Sequence, residues 1–121
     1  MADCCNRDAV LIYPCSGAAD VGELSDRVAR KLSKKGMGAM ACLAGVGANF
    51  PGFVGAAQKA VKVITIDGCQ VACAKNIMKN IGVEPASFIL TDLGFKKGAT
   101  EVNASAIDQA VEMIDCGGCC G

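Results

Sequence analysis

The chain has 121 residues, 52% hydrophobic and 20% charged, which suits one domain with a modest core and rules out disorder. Twelve basic and twelve acidic side chains cancel, with no Trp, one Tyr and four Phe, so nucleic-acid binding has no electrostatic or stacking footprint. No histidine occurs, which removes the commonest general base, the Cys–His dyad and every imidazole metal ligand.

Four apolar runs alternate with four helical patterns. After MADCCNRD, Ala9–Tyr13 reads as the first strand, followed by the turn Pro14-Cys15-Ser16-Gly17. A helix is expected from about Asp20, where Asp20 and Glu23 have capping-box spacing. Val21, Leu24, Val28 and Leu32 form its apolar stripe, and Lys34, Lys35 and Gly36 close it. Ala39–Leu43 is the second predicted strand, and a helix follows from about Pro51, with Pro in its first turn. Val61–Ile66 is the third strand, Cys69–Ile81 the third helix, stopped by Gly82, and Phe88–Thr91 the fourth strand. A last helix covers about Ala104–Asp115 and leads into the tail Cys116-Gly-Gly-Cys-Cys-Gly.

Continuous apolar strands alternating with helices imply a parallel sheet covered on both faces. The expectation is an α/β fold in a single domain spanning 1–121. Its four-stranded parallel sheet has order 2-1-3-4, with helices on both faces in a Rossmann-like three-layer sandwich. Residues 36–58 carry no charge and are long enough to cross a bilayer. They are mostly Gly and Ala, however, and Asn49-Phe50-Pro51-Gly52 breaks them, so they read as buried strand, loop and helix, and no membrane partner is expected.

Nine cysteines in so short a chain point to a disulfide scaffold or a metal protein. The count is odd, aliphatic residues suffice for a core, and MADCCNRD has no apolar signal sequence. A metal protein in a reducing cytoplasm is the better reading. Ligands of open α/β sheets bind beyond the carboxyl ends of the strands. Cys15, Cys42 and Cys69 fall at or just past the ends of strands 1, 2 and 3, and Cys73 lies a turn beyond Cys69. On a helix Cys69 and Cys73 would share one face with Cβ atoms about 5–6 Å apart, too wide for a disulfide and suited to two thiolates on one ion. A helix start would also favour the thiolate form. Four Cys without His suit a closed tetrahedral zinc site or an iron–sulfur cluster. A second cluster of Cys4, Cys5, Cys116, Cys119 and Cys120 is conceivable where both termini reach the amino edge of the sheet.

Other candidates carry less. Asp67 reads as the cap of the third helix, Asp92 as a strand-end turn former within reach of the crevice, and Lys75 as a solvated lysine that could offset thiolate charge. Gly45-Val46-Gly47-Ala48 lacks the third glycine of a dinucleotide fingerprint, and no phosphate-binding loop occurs.

Three segments together resemble a known family. Pro14-Cys15-Ser16-Gly17, then Ala41-Cys42-Leu43-Ala44-Gly45-Val46-Gly47-Ala48 with Pro51-Gly52, then Asp67-Gly68-Cys69-Gln70-Val71-Ala72-Cys73-Ala74 resemble, in order, the DGC-domain family. The likeness runs from about residue 9 to residue 95. It implies zinc binding through four cysteines, which correspond here to Cys15, Cys42, Cys69 and Cys73, and it implies no enzymatic activity. The terminal cysteines are not part of the family pattern. The leading expectation is a small zinc-binding protein, structural or metal-handling, with a metal ion as an expected partner. The alternatives are a thiol redox protein using Cys69 and Cys73 with Cys15 or Cys42, and an iron–sulfur electron carrier.

Overall fold

The computed structural model describes residues 10–116. The elements in chain order are β1 (Val10–Pro14), α1 (Asp20–Lys34), β2 (Ala39–Met40), α2 (Leu43–Gly47), α3 (Pro51–Lys59), β3 (Lys62–Asp67), α4 (Cys73–Asn80), β4 (Ala86–Ile89), a 3-10 turn (Leu90–Leu93) and α5 (Ala104–Cys116). The sheet is four-stranded with order β2-β1-β3-β4, and every pairing is parallel. Both the order and the orientation match the expectation from sequence.

Strand periodicity divides the core in two. Val10, Ile12, Ile64 and Ile66 face one side, where they meet Leu24, Val28 and Leu32 of α1 and Val111 and Ile114 of α5. The intervening Tyr13 and Val63 face the other side, against Val46 of α2, Ala57 of α3 and Met78 of α4. The two central strands, β1 and β3, are therefore buried on both faces, which is why their sequences run apolar without alternation. The stripe Val21, Leu24, Val28 and Leu32 is at most 1% exposed. Helices α1 and α5 are also tied across their outer surface by Lys31–Asp108 and Lys35–Asp115 ion pairs, exposed contacts of small energetic weight. Among the described residues, no helix is long and apolar enough to cross a membrane.

Three boundaries differ from the periodicity reading, each for a local reason. Only Ala39 and Met40 of β2 pair with β1. After Ala41 N–H reaches the Ile12 carbonyl, the chain turns at Cys42 into the short α2, whose glycines hide its helical character. Strand β4 lies two residues earlier than Phe88–Thr91 because its register pairs Asp67, the last residue of β3, with Ile89. Helix α4 begins at Cys73, not Cys69. Residues 68–72 form a turn closed by Ala72 N–H on the Cys69 carbonyl, and Ala72 is left-handed at φ 53°.

The capping box expected at Asp20 and Glu23 is also replaced. The residue before α1 is Ala19, with no side-chain cap. Asp20 instead accepts N–H bonds from Gly98 (2.9 Å) and Thr100 (2.9 Å), 78 and 80 residues on, and one from Val21 (2.8 Å). Those donors, Gly98 first and Thr100 next, hold its carboxyl below the usual carboxylate range. A depressed acid contributes stability that is present above its ordinary pKa and lost as pH falls through the folded value. Asp20→Asn should therefore lower the urea midpoint at pH 7. The gap from wild type should close as pH falls below about 4. A gap that stays constant down to pH 2 in paired urea titrations would rule out the carboxylate as the source.

Candidate thiol site

The carboxyl ends of β1, β2 and β3 carry the cysteines, and local contacts decide where each thiol sits. Cys15 directly follows β1 and prolongs its ladder, with its N–H on the Ile66 carbonyl at 2.9 Å. Its Sγ accepts an N–H from Gly68 at 3.4 Å and lies 3.3 Å from Ser25 Oγ. Ser25 is fully buried in α1. Its hydroxyl donates to the Gly22 carbonyl at 2.7 Å and accepts the Ser16 N–H at 3.2 Å. With the serine proton on Gly22, the Cys15 S–H is the donor to Ser25. Were Cys15 a thiolate, Ser25 could rotate its proton onto sulfur, because a hydroxyl is both donor and acceptor.

Backbone packing brings these pieces together. Gly68 is buried at the end of β3, where a Cβ would stand 2.7 Å from the Val21 carbonyl carbon and oxygen and 2.9 Å from Gly22 N. A Cβ on Gly22 would stand 2.4 Å from the Gly17 carbonyl oxygen. The loop after β1, the first turn of α1 and the loop after β3 thus meet main chain to main chain.

Asp67, beside Gly68, is 1% exposed. It caps α4 across the turn, taking Ala74 N–H at 2.7 Å and Lys75 N–H at 3.1 Å. This confirms the capping role expected from sequence and means that these α4 donors serve a carboxylate, not a thiolate. Burial pushes the Asp67 carboxyl up, outweighing the two N–H bonds. Its pH contribution is therefore opposite to that of Asp20: stability present below the ordinary carboxylate pKa and lost as pH rises through the folded value.

Cys15, Cys42 and Cys73 line one open cleft of about 740 Å³, with Leu43 and Ile77 among its apolar walls and the Asp26–Arg30 ion pair at its polar side. Cys15 is half-buried, and Cys42 and Cys73 are exposed. Cys42 also borders an apolar hollow lined by Leu11, Tyr13, Phe53 and Ala56. Burial first, and the neighbouring Cys42 second, push the Tyr13 phenol up. Two non-glycine residues beside the thiols are left-handed: Ser16 at φ 52°, after Cys15, and Ala72 at φ 53°, before Cys73. Each such conformation costs about 1–2 kcal/mol, and backbone strain of this kind gathers at functional sites.

Cys69 does not line that cleft. It is half-buried in the turn before α4, with Lys97 Nζ 3.6 Å from its Sγ. The shared helix face expected for Cys69 and Cys73 does not form, because the helix starts at Cys73. Asp92, expected near the crevice, instead accepts a bond from Gln70 Nε2. The Lys75 backbone serves Asp67. Ser25, Asp26, Arg30 and Lys97 escaped the sequence reading; the first three are ordinary members of an amphipathic helix, and Lys97 meets Cys69 across 28 residues of chain. Of the terminal cysteines, Cys116 ends α5, and Cys4, Cys5, Cys119 and Cys120 lie outside the described residues.

Zinc can be tested against this donor set. Thiolates alone, with no imidazole in the chain, match the ligand chemistry of a thiophilic ion, and three of them share a cleft. In this conformation no group of three or more Cys, Asp or Glu side chains among the described residues is placed to hold an ion. The donor types fit; closure around an ion needs movement.

With the geometry established, comparison with known proteins places the chain. The model of the DGC domain matches residues 11–114. The Anaerobic and virulence modulator AnvM of Pseudomonas aeruginosa (strain PAO1) is 33% identical over 88 residues, covering 72% of this chain and 67% of the relative. No solved structure matches.

Gly68→Ala tests the packing beneath the site. Its Cβ would meet backbone that cannot rotate away, so a loss of about 1–3 kcal/mol in stability is expected. Urea unfolding at neutral pH measures it, and a loss under 0.5 kcal/mol would show that α1 moves aside freely.

Proposed function

The chain belongs to the DGC-domain family, and from that membership we propose that it is a small cytoplasmic protein that holds zinc through Cys15, Cys42, Cys69 and Cys73. The observation that carries this reading is the shared cleft. Cys15, Cys42 and Cys73 come from three separate segments of the chain, yet they line one opening at the carboxyl edge of the sheet. Cys69 sits one residue from the Gly68 N–H that touches Cys15 Sγ. An all-thiolate set is the donor chemistry that zinc accepts in structural sites. The role proposed is binding and modulation, without catalysis, and the matched relative's name as a modulator supports it.

A thiol redox role is the second reading. It is favoured by the exposure of Cys42 and Cys73, which leaves both open to oxidants, and by the word anaerobic in the relative's name. An iron–sulfur cluster would use the same donors and would colour the protein brown.

Elemental analysis of protein purified under reductant separates these readings. The zinc reading expects about one zinc per chain, lost on acidification because ligand thiols must deprotonate to bind. Cys15→Ser and Cys73→Ser should each weaken zinc binding by more than about 100-fold, beyond the loss from disturbing a group behind the ligands. Colourless protein without zinc, whose cleft thiols form a reversible disulfide, would instead establish the redox reading.

A further inference from the structure

Three of the four thiols assigned above share the cleft, and the fourth is occupied elsewhere. The turn carrying Cys69 is gripped from outside the cleft at two adjacent residues. Gln70 Nε2 donates to Asp92 Oδ1, in the 3-10 turn after β4, and Lys97 Nζ lies 3.6 Å from Cys69 Sγ. The segment supplying Lys97 is itself anchored, since Asp20 takes the N–H groups of Gly98 and Thr100. On the cleft side, the chain just before Cys69 is close to its prospective partners: Gly68 N–H touches Cys15 Sγ, and the Cα of Cys69 follows that of Gly68 by about 3.8 Å. A change of χ1 rotamer alone carries a cysteine sulfur by about 3 Å. Cys69 is thus within a short movement of the cleft and held out of it by side chains with no part in the cleft.

We infer that Cys69 is a movable fourth thiol, restrained by the Gln70–Asp92 bond and the Lys97 contact, and that zinc binding at Cys15, Cys42 and Cys73 draws it in at the expense of that restraint. The inference rests on the zinc reading and adds a regulatory element to it: residues remote from the ligands set how tightly the ion is held. Gly68 and the main chain beneath it stay fixed, because Gly68 is wedged against Val21 and Gly22. The Cys69–Ala72 turn, which ends at the left-handed Ala72, moves as part of the same closure that must draw the other three thiols together.

Cutting the tie from either end supplies the test. Asp92→Ala and Gln70→Ala should each tighten zinc binding, measured by competition with a chromophoric chelator, by about 2–5-fold, the scale of an exposed polar contact. Gln70→Ala is the sharper of the two. Ligand thiols deprotonate on binding and leave a zinc site of four thiolates with net negative charge, so removing the Asp92 carboxylate favours binding by charge alone, whereas Gln70→Ala cuts the same tie with no change of charge. In a Cys69→Ser background the gain from Gln70→Ala should vanish, since no fourth thiol remains to be released. With no metal added, iodoacetamide should label Cys69 faster in Asp92→Ala than in wild type, read by mass spectrometry of the peptide.

Unchanged or weaker zinc binding in both variants overturns the inference, as does a Gln70→Ala gain that persists in the Cys69→Ser background. If wild type takes up no zinc while Asp92→Ala still speeds labelling, the tie is real but restrains no metal ligand, and both the zinc reading and this inference fall. If zinc binds through four thiols but neither affinity nor labelling responds to Asp92→Ala, the zinc reading stands and the restraint alone is refuted.

Discussion

Everything at the carboxyl edge of the sheet depends on how closely three stretches of main chain approach there. Gly17, Gly22 and Gly68 let the loop after β1, the start of α1 and the loop after β3 meet with no side chain between them. That contact places Gly68 N–H on the Cys15 sulfur and brings Ser25, one turn into α1, behind the same atom. An inserted methyl group would separate α1 from β3 and so displace the first thiol of the site without touching any thiol directly. The Asp-Gly-Cys sequence is thus three physical roles in succession. A buried carboxylate caps α4, a residue without Cβ admits α1, and a thiol sits on the turn between them.

The two acids at this edge work in opposite senses. Asp20 is half-buried and gains from the N–H groups it collects, joining the loop at residues 98–100 to the start of α1. Asp67 is buried, and desolvation outweighs the donors it satisfies. A carboxylate kept in so unfavourable a place is consistent with a geometric duty: no uncharged side chain of the same size offers two acceptor oxygens to the adjacent N–H groups of Ala74 and Lys75.

Most of the fold was legible in the sequence because it rests on periodicity. The stripe of α1 and the unbroken apolar runs of β1 and β3 report burial on one helical face and on both sheet faces, and from these the layer order follows. What sequence reading missed are places where tertiary contact overrides a local pattern. Ala72 has high helix propensity, so Cys69–Ile81 reads as one helix; the left-handed turn at Ala72 becomes visible only once Gly68 is seen wedged under α1. Leu43–Gly47 is too glycine-rich to announce itself as helical. For the site, position after a strand groups Cys15, Cys42 and Cys69, but the cleft joins the first two with Cys73, which the sequence ties to them only through a helix face shared with Cys69 that does not form. The partnership of Cys69 with Lys97 was not legible either, since nothing local in either segment refers to the other.

Tyr13 gives the molecule an unplanned optical property. It is the one tyrosine of a chain without tryptophan, it is 1% exposed, and it borders the same hollow as Cys42. At wavelengths beyond the reach of the four phenylalanines, near-ultraviolet absorption and emission of the native protein therefore originate at a single buried phenol beside one thiol of the cleft. A change at Cys42, by metal, oxidant or alkylating reagent, falls next to that chromophore, so the protein carries its own spectroscopic label at the place where its chemistry is proposed to occur.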